Sequence, residues 1–324
     1  MSNGTLCDLL DIEVPIIGGA MYPCSNPELV AAVSAAGGIG VVQPMSLTYV
    51  HGHDFREGLR LIRELSGGKP IGLNLIIEAS SQTYLRRIEN WANIALEEGV
   101  AFFVTALGDP RWIVDMAGKA DRRPVIFHDV TQARHAEKAK DAGVDGFIAV
   151  NDRAGGHAGT LSPEALYAEL EPFGLPIVGA GGVGDRAGVE AMLAIGYAGV
   201  QLGTRFIATE ECTAHDNYKQ AIIDAAADDI VLTERLTGVP VAIINTPTVQ
   251  RTGTRAGPIA RWMLKGRRTK HWMRTIYSLQ SIWKLKKAAG EGGGYQDYWQ
   301  AGRSAGSVHA VRPVSEIIDD LAGC

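Results

Sequence analysis

A single histidine, His157, stands among glycines shortly after an apolar run, in a place suited to acid–base chemistry. The run is Val144–Val150, and the loop after it contains the sequence AGGHAG at Ala154–Gly159. Glycines lack a Cβ atom, so a flat ligand can approach this backbone while the imidazole projects toward it. Because the ordinary pKa of imidazole lies near neutrality, His157 can accept a proton at physiological pH. We therefore expect His157 to be a general base, with a surface-loop histidine as the alternative.

Two further glycine-rich turns have the composition of a phosphate-binding site. The first is GAGG at Gly179–Gly182, and the second is GTR at Gly203–Arg205. Glycines let the backbone N–H groups approach a ligand, and the helical pattern that begins near Asp185 directs its positive end toward the first turn. The pattern predicts that the two turns together bind one phosphate group. The alternative is that both are ordinary tight turns, which often contain glycine.

The first of these turns also fits a dinucleotide-binding pattern, G-x-G-x-x-G, through Gly179, Gly181 and Gly184. In such proteins the pattern belongs to the first strand–helix unit and is followed by an acidic residue about twenty positions later. Here several apolar runs precede the pattern, and Gly203 and Thr204 stand near the position of the acid. The sequence therefore favours a phosphate site late in the fold over a dinucleotide-binding domain.

Short apolar runs separated by amphipathic helical segments predict parallel strands that alternate with helices. Counting such runs back from Phe206 gives eight strands, which indicates a (β/α)8 TIM barrel of the α/β class. Ligands of this fold bind where the strands end, so the three glycine loops should face one site. We expect a barrel at residues 1–225, a mostly helical cap at 226–298 and a return to the barrel at 299–324.

The predicted cap is strongly basic. From Leu236 to Gly290 the chain has no Asp or Glu, but it has eleven Lys and Arg residues, with Trp262, Trp272 and Trp283 among them. Three explanations remain open: a solvated helical face, a site for an anionic substrate such as an acyl-CoA, and contact with an anionic membrane surface. No nucleic-acid-binding motif accompanies the basic residues.

Composition limits the classes of protein that need to be considered. The chain has 324 residues and a net charge of −5, so the molecule as a whole does not indicate binding to nucleic acid. Four scattered cysteines without a C-x-x-C pair argue against a disulfide framework or a zinc site, and the group His51, His53 and Asp54 lacks further ligands nearby. The N-terminus has no signal-peptide pattern, and no apolar run reaches membrane-spanning length. We expect a cytoplasmic protein without a bound metal.

Four segments carry a family resemblance. AGGHAG, GAGG and QLGTRF (Gln201–Phe206), together with PIIGGAMYPCSNPELVAAVSAAGGIG at Pro15–Gly40, resemble the FMN-dependent nitronate monooxygenases, once called 2-nitropropane dioxygenases. The same elements occur in the related FMN-dependent enoyl-acyl-carrier-protein reductases and in a flavin NADH:quinone reductase. The resemblance covers residues 12–220 well and is more specific for the superfamily than for the reaction.

The resemblance implies a cofactor, a reaction and a set of contacts. The cofactor would be FMN, and the reaction would be oxidation of alkyl nitronates by O2 to carbonyl compounds and nitrite, with His157 catalytic. The residues expected to contact FMN are Gly19, Ala20, Met21, Asn74, His128, Gly156, Ala180, Gly181, Gly182, Gln201, Gly203 and Thr204. Asn74 could instead be satisfied within the core, and His128 could be a spectator.

A second function is also consistent with the resemblance. It is an NAD(P)H-dependent flavin reductase acting on an enoyl thioester or a quinone, which the basic segment slightly favours. Asp152 and Arg153 depart from the apolar or Glu residues often found before AGGH, and Arg303 stands where Gln is usual. These departures concern the substrate pocket more than the flavin site. Association into a homodimer and contact with a membrane surface remain open.

Overall fold

The fold is a closed barrel of eight parallel strands in sequential order, in which β1 pairs with both β2 and β8. This computed structural model describes residues 5–78, 82–235, 239–255 and 298–323. The strands are β1 Ile16–Gly18, β2 Ile39–Val42, β3 Gly72–Ile76, β4 Phe102–Ala106, β5 Val125–Val130, β6 Gly146–Val150, β7 Ile177–Ala180 and β8 Gly199–Leu202. The predicted TIM barrel is confirmed.

The barrel interior is a packed core that closes the barrel beneath its mouth. Alternate side chains of a strand point to opposite faces, so every second residue enters the barrel. The side chains that fill it include Ile17, Val41, Phe102, Phe127, Ile148 and Val178. Helix α1 (Leu6–Leu10) adds Leu6 and Leu10 to this core. A Cβ atom at Gly199 would lie 2.5 Å from Cδ2 of Leu6, so this contact requires glycine.

Helices cover the outside of the barrel. They are α2 Pro27–Ala35, α3 Phe55–Leu65, α4 Gln82–Glu97, α5 Arg111–Ala117, α6 Ala133–Asp141, α7 Pro163–Leu170, α8 Arg186–Ile195, α9 Thr204–Ile207 and α10 Asp216–Asp224. Helix α8 begins after Asp185, whose carboxylate accepts a hydrogen bond from the Gly188 N–H group (2.8 Å). Its start therefore lies beside the GAGG turn, as the sequence predicted.

The segment after α10 contains an antiparallel hairpin, which the sequence analysis did not predict. Strands β9 (Ile230–Thr233) and β10 (Val241–Ile244) form this hairpin, and helix α11 (Pro247–Thr252) follows. Residues 256–297, which contain most of the predicted helical cap and its basic residues, lie outside the described part of the chain. The chain then returns through a 3₁₀ turn at Arg303–Ser307 and ends with helix α12, Val314–Ala322.

None of the helices in the described ranges is both long enough and apolar enough to span a lipid bilayer. The longest of these helices, Gln82–Glu97, contains 16 residues and has charged side chains along its length.

Candidate functional site

The strand ends at the carboxyl side of the barrel carry small and polar side chains instead of the apolar ones below them. Ala20 and Ala180 pack against the interior core, and Asn74 follows Gly72 on the inward face of β3. Gln201 on β8 also turns inward, because a Cβ atom at Gly19 would lie 3.0 Å from its Cγ and 3.3 Å from its Nε2. Small residues between amides leave room for a flat ligand above the core.

Two of the predicted contacts lie side by side at the closure of the barrel. The Gly19 N–H group donates to the carbonyl oxygen of Leu202 (2.8 Å), which joins the end of β1 to the end of β8. A Cβ atom at Gly203 would lie 3.3 Å from Sδ of Met21. The structure therefore brings Gly19, Met21, Gln201 and Gly203 together, although they come from opposite ends of the barrel sequence.

The GAGG turn has a backbone that only glycine adopts easily. Gly181 and Gly182 have φ angles of +118° and +82°, in the left-handed region. A Cβ atom at Gly181 would lie 2.4 Å from Oδ1 of Asn151, while Nδ2 of Asn151 donates to the Gly181 carbonyl oxygen (3.0 Å). Within the described residues, the N–H groups of Gly181 and Gly182 have no hydrogen-bond acceptor. They are available to an anionic ligand.

The second turn is held by the returning chain. The Gly302 N–H group donates to Oγ1 of Thr204 (2.9 Å), and the Thr204 side chain is buried. This bond uses a lone pair of the hydroxyl oxygen and leaves its proton to donate elsewhere. Gly302 also packs closely on the loop before His157, since a Cβ atom there would lie 2.7 Å from the Gly155 nitrogen.

His157 lies in a loop that is fixed from the hairpin side. The Ala242 N–H group on β10 donates to the carbonyl oxygen of Gly156 (2.7 Å), and Gly156 has a φ of +68°. Oε1 of Gln300 lies 3.4 Å from the position of a Cβ atom at Gly156. His157 keeps an exposed surface, yet the surrounding protein lowers its pKa below the ordinary 6.5 by desolvation. Desolvation therefore favours the neutral imidazole, which is the form able to accept a proton.

His128 lies apart from the residues just described. It follows the inward-facing Phe127 on β5 and so points to the helix side, where its Nδ1 lies 2.8 Å from Oγ1 of Thr105. Burial, with a smaller effect of His135, lowers the pKa of His128 to about 4, so the ring is neutral. The predicted contact of His128 with FMN stays a prediction, but this orientation does not favour it.

Asp129, and not His128, points inward at the end of β5. It is the next residue after His128 on β5, and its Oδ1 is enclosed without a hydrogen-bond partner among the described residues. Burial raises the pKa of Asp129 from 3.8 to about 7. An enclosed carboxyl oxygen without a partner is unusual in a folded protein and indicates a group that meets a ligand or holds a proton.

Comparison with known families identifies the chain. The sequence model of the nitronate monooxygenase family matches residues 3–323. The chain belongs to the nitronate monooxygenase family. A protein of Pseudomonas aeruginosa named nitronate monooxygenase is 30% identical, over 71% of this chain and 76% of its own. The family and its named members make the protein an oxidoreductase.

Other relatives of this nitronate monooxygenase family member have different names. A Rhodococcus jostii protein is 25% identical over 98% of this chain and 94% of its own length. It is named (3aS,4S,5R,7aS)-5-hydroxy-7a-methyl-1-oxo-octahydro-1H-indene-4-carboxyl-CoA dehydrogenase. The structure of FabK from Thermotoga maritima superposes with a TM-score of 0.80 at 28% identity, covering 98% of this chain and 94% of FabK.

Two site features of this family member were missed by the sequence analysis. The β9–β10 hairpin and Gln300 lie against Gly156, the residue before His157, and neither lies in a recognisable motif. The inward position of Asp129 depends on the continuation of β5 past Phe127 to Val130, where it pairs with β6. Across the described residues there is no cluster of His, Cys, Asp and Glu able to hold a metal ion.

Proposed function

We propose that the protein is an FMN-dependent nitronate monooxygenase. The observation that carries the proposal is the pair of turns at the ends of β7 and β8. Gly181 and Gly182 offer N–H groups without acceptors among the described residues, and Thr204 offers a hydroxyl proton. Oriented N–H and hydroxyl donors next to glycines without Cβ atoms fit one phosphate group. The two turns form a single phosphate site, which we call the cradle. One phosphate site suits a mononucleotide, so FMN is favoured over FAD.

The rim residues fit the flavin ring. Asn74 and Gln201 supply amide groups on the inward face, while Gly19, Ala20 and Ala180 leave room between them. Asn74 is half-buried on the inward face of β3, so its side-chain amide is placed to hydrogen-bond a ligand with polar edges. FMN, when bound, accepts electrons from the substrate and passes them to O2. Mass analysis of the cofactor released from the purified protein tests the proposal, and finding FAD would refute the argument from one cradle.

His157 would act on the substrate. In its neutral form one ring nitrogen accepts the proton from the carbon next to the nitro group, which gives the nitronate. The resulting imidazolium then donates a hydrogen bond to a nitro oxygen, where negative charge has formed. The hairpin bond from Ala242 to Gly156 holds the loop in place while the side chain moves this proton.

The His157→Asn variant tests this role. General-base catalysis contributes about 10²–10⁴-fold, so turnover of a neutral nitroalkane should fall by that factor while FMN stays bound. Preformed nitronate has already lost the proton, and its oxidation should fall much less. An equal loss with both substrates would assign His157 to binding only, and no loss would remove it from the site.

Specific observations favour a second candidate, an NAD(P)H-dependent flavin reductase acting on a CoA-type thioester. The Rhodococcus jostii relative, named for a CoA compound, is similar over nearly the whole chain, and the segment between Leu236 and Gly290 has only basic charges. Anaerobic mixing with NADH or NADPH discriminates the candidates. Prompt bleaching of the flavin, followed by reoxidation with an enoyl-CoA, would favour the reductase, and an unchanged flavin spectrum would favour the monooxygenase.

A further inference from the structure

Arg153 lies directly against the GAGG turn. A Cβ atom at Gly182 would lie 2.9 Å from both Cβ and Cδ of Arg153, so the aliphatic part of this side chain runs along the glycine. The backbone on which it stands is fixed at both ends. The Arg153 N–H group donates to Oδ1 of Asn151 (2.8 Å), and its carbonyl oxygen accepts from the Arg303 N–H group (3.0 Å). These two bonds anchor the backbone of Arg153 beside the turn.

The guanidinium group of Arg153 is held weakly. Its Nε lies 4.0 Å from Oδ1 of Asp152, and its Nη2 lies 3.9 Å from Oε1 of Glu164. These distances exceed those of hydrogen bonds, and the Arg153 side chain is 43% exposed. Exposed ion pairs of this kind contribute little to stability. The N–H donors of the guanidinium therefore remain available to a stronger acceptor.

The N–H groups of the GAGG turn carry only partial positive charges, which do not balance the negative charge of a phosphate dianion. The carboxylate of Asp185 caps α8 and adds a negative charge at the helix end that would otherwise favour an anion. A nearby cation would offset this charge. Arg153 is suited to that task because a guanidinium can bind two phosphate oxygens at once and cannot lose its charge at physiological pH.

We propose that Arg153 binds the phosphate group of the flavin nucleotide and so makes the protein select FMN over riboflavin. The inference rests on the proposed FMN function and adds a residue to it. The stem of Arg153 stays on Gly182, and its guanidinium leaves Asp152 and Glu164 to meet the phosphate beside the N–H groups of the turn. The side chain therefore supplies charge, while Gly181, Gly182 and Thr204 supply the shape of the cradle.

The test compares the dissociation constants of FMN and riboflavin, measured by quenching of flavin fluorescence on the full-length protein after removal of its cofactor. Arg153→Met keeps an aliphatic stem on Gly182 and removes the charge. A charge-assisted hydrogen bond contributes enough to expect about a tenfold to hundredfold loss of FMN affinity, with riboflavin affinity unchanged. Arg153→Lys keeps a positive charge but lacks the planar guanidinium group. Its FMN affinity should therefore lie between that of Arg153→Met and that of the parent.

The matched control is Arg186→Met, which removes the same charge from the first turn of α8. Arg186 is exposed and bonds to Glu190, with 2.7 Å between Nε and Oε1, so FMN affinity should stay near that of the parent. Equal losses for FMN and riboflavin in Arg153→Met, no loss for FMN, or an equal loss in the control would each overturn the inference. A parent protein that binds riboflavin and FMN equally well would overturn it too, while one that binds no flavin would refute the proposed function itself.

Discussion

Asp129→Asn is the substitution that tests the inward carboxyl at the end of β5. Burial raises the pKa of Asp129 from 3.8 to about 7, a difference of about three units. Each unit corresponds to about 1.4 kcal/mol, so the ionised carboxylate destabilises the fold by about 4 kcal/mol at most. Asp129 is half-buried as a residue, and water that reaches it would reduce this figure.

The direction of the pH dependence of stability follows from whether the folded or the unfolded state holds the Asp129 proton. Between pH 4 and pH 7 the unfolded chain has lost the Asp129 proton while the folded protein retains it, so stability falls as the pH rises. The asparagine variant does not titrate, and this part of the decline disappears. Relative to the parent, the variant should therefore gain stability steadily from pH 4 to pH 7 and keep the gain above pH 8.

Urea unfolding of the cofactor-free protein at pH 5, 6, 7 and 8 measures this difference. Asp115→Asn is the control, because it removes an exposed carboxylate from α5. A free-energy difference between variant and parent that does not change with pH would refute the reasoning, since it would mean that the Asp129 carboxyl titrates alike in the folded and unfolded states. The same slope in the Asp115 variant would refute it as well.

Two further predictions concern glycines. Gly182→Asp should abolish FMN binding while the apoprotein remains folded by circular dichroism, because the new carboxylate would repel the phosphate at its proposed position. Unchanged FMN affinity would mean that the phosphate binds elsewhere. Gly199→Val should destabilise the whole barrel by about 1–3 kcal/mol or more, because its Cβ would lie 2.5 Å from Leu6 and overpack the closed end; a melting temperature equal to that of the parent would contradict this packing.

The barrel itself was predictable because its signals are local. Apolar runs with helical segments between them mark the strands, and the glycine turns mark their carboxyl ends. The apolar run Val144–Val150 contains β6, which begins at Gly146, so the sequence located this strand to within two residues. Cofactor contacts that depend on backbone turns share this local origin, and they remain predictions to be tested.

The orientation of side chains at the end of β5 was not predictable from apolar pattern alone. The apolar run ends at Phe127, and the resemblance implied that the next residue, His128, contacts FMN. The strand continues to Val130 because it pairs with β6, and Phe127 fits beside Gly146, which lacks a Cβ atom. A strand that continues by three residues places His128 and Asp129 on opposite faces. Long-range pairing therefore decided which of the two enters the barrel.

The sequence did not predict the β9–β10 hairpin for a related reason. Its two strands have only four residues each, and burial does not alternate along Ile230–Thr233, which has two half-buried positions, one exposed position and one buried position. Their position depends on the bridge from Gly156 to Ala242, which joins residues far apart in the chain. Such pairings depend on tertiary contacts, so the composition of either segment does not predict them.

The hydrogen bond from Gly302 to Thr204 has a consequence for how the protein is made. The two residues are 98 positions apart in the chain, and the second turn of the cradle lacks this support until Gly302 has been synthesised. Ribosomes add about 5–20 residues per second, so the interval is about 5–20 s. During that time the GAGG turn also lacks the packing of Ser304 on Gly184. We therefore expect the nascent barrel to bind nucleotide only weakly until its last segment docks. Cofactor binding would then follow the synthesis of the whole barrel.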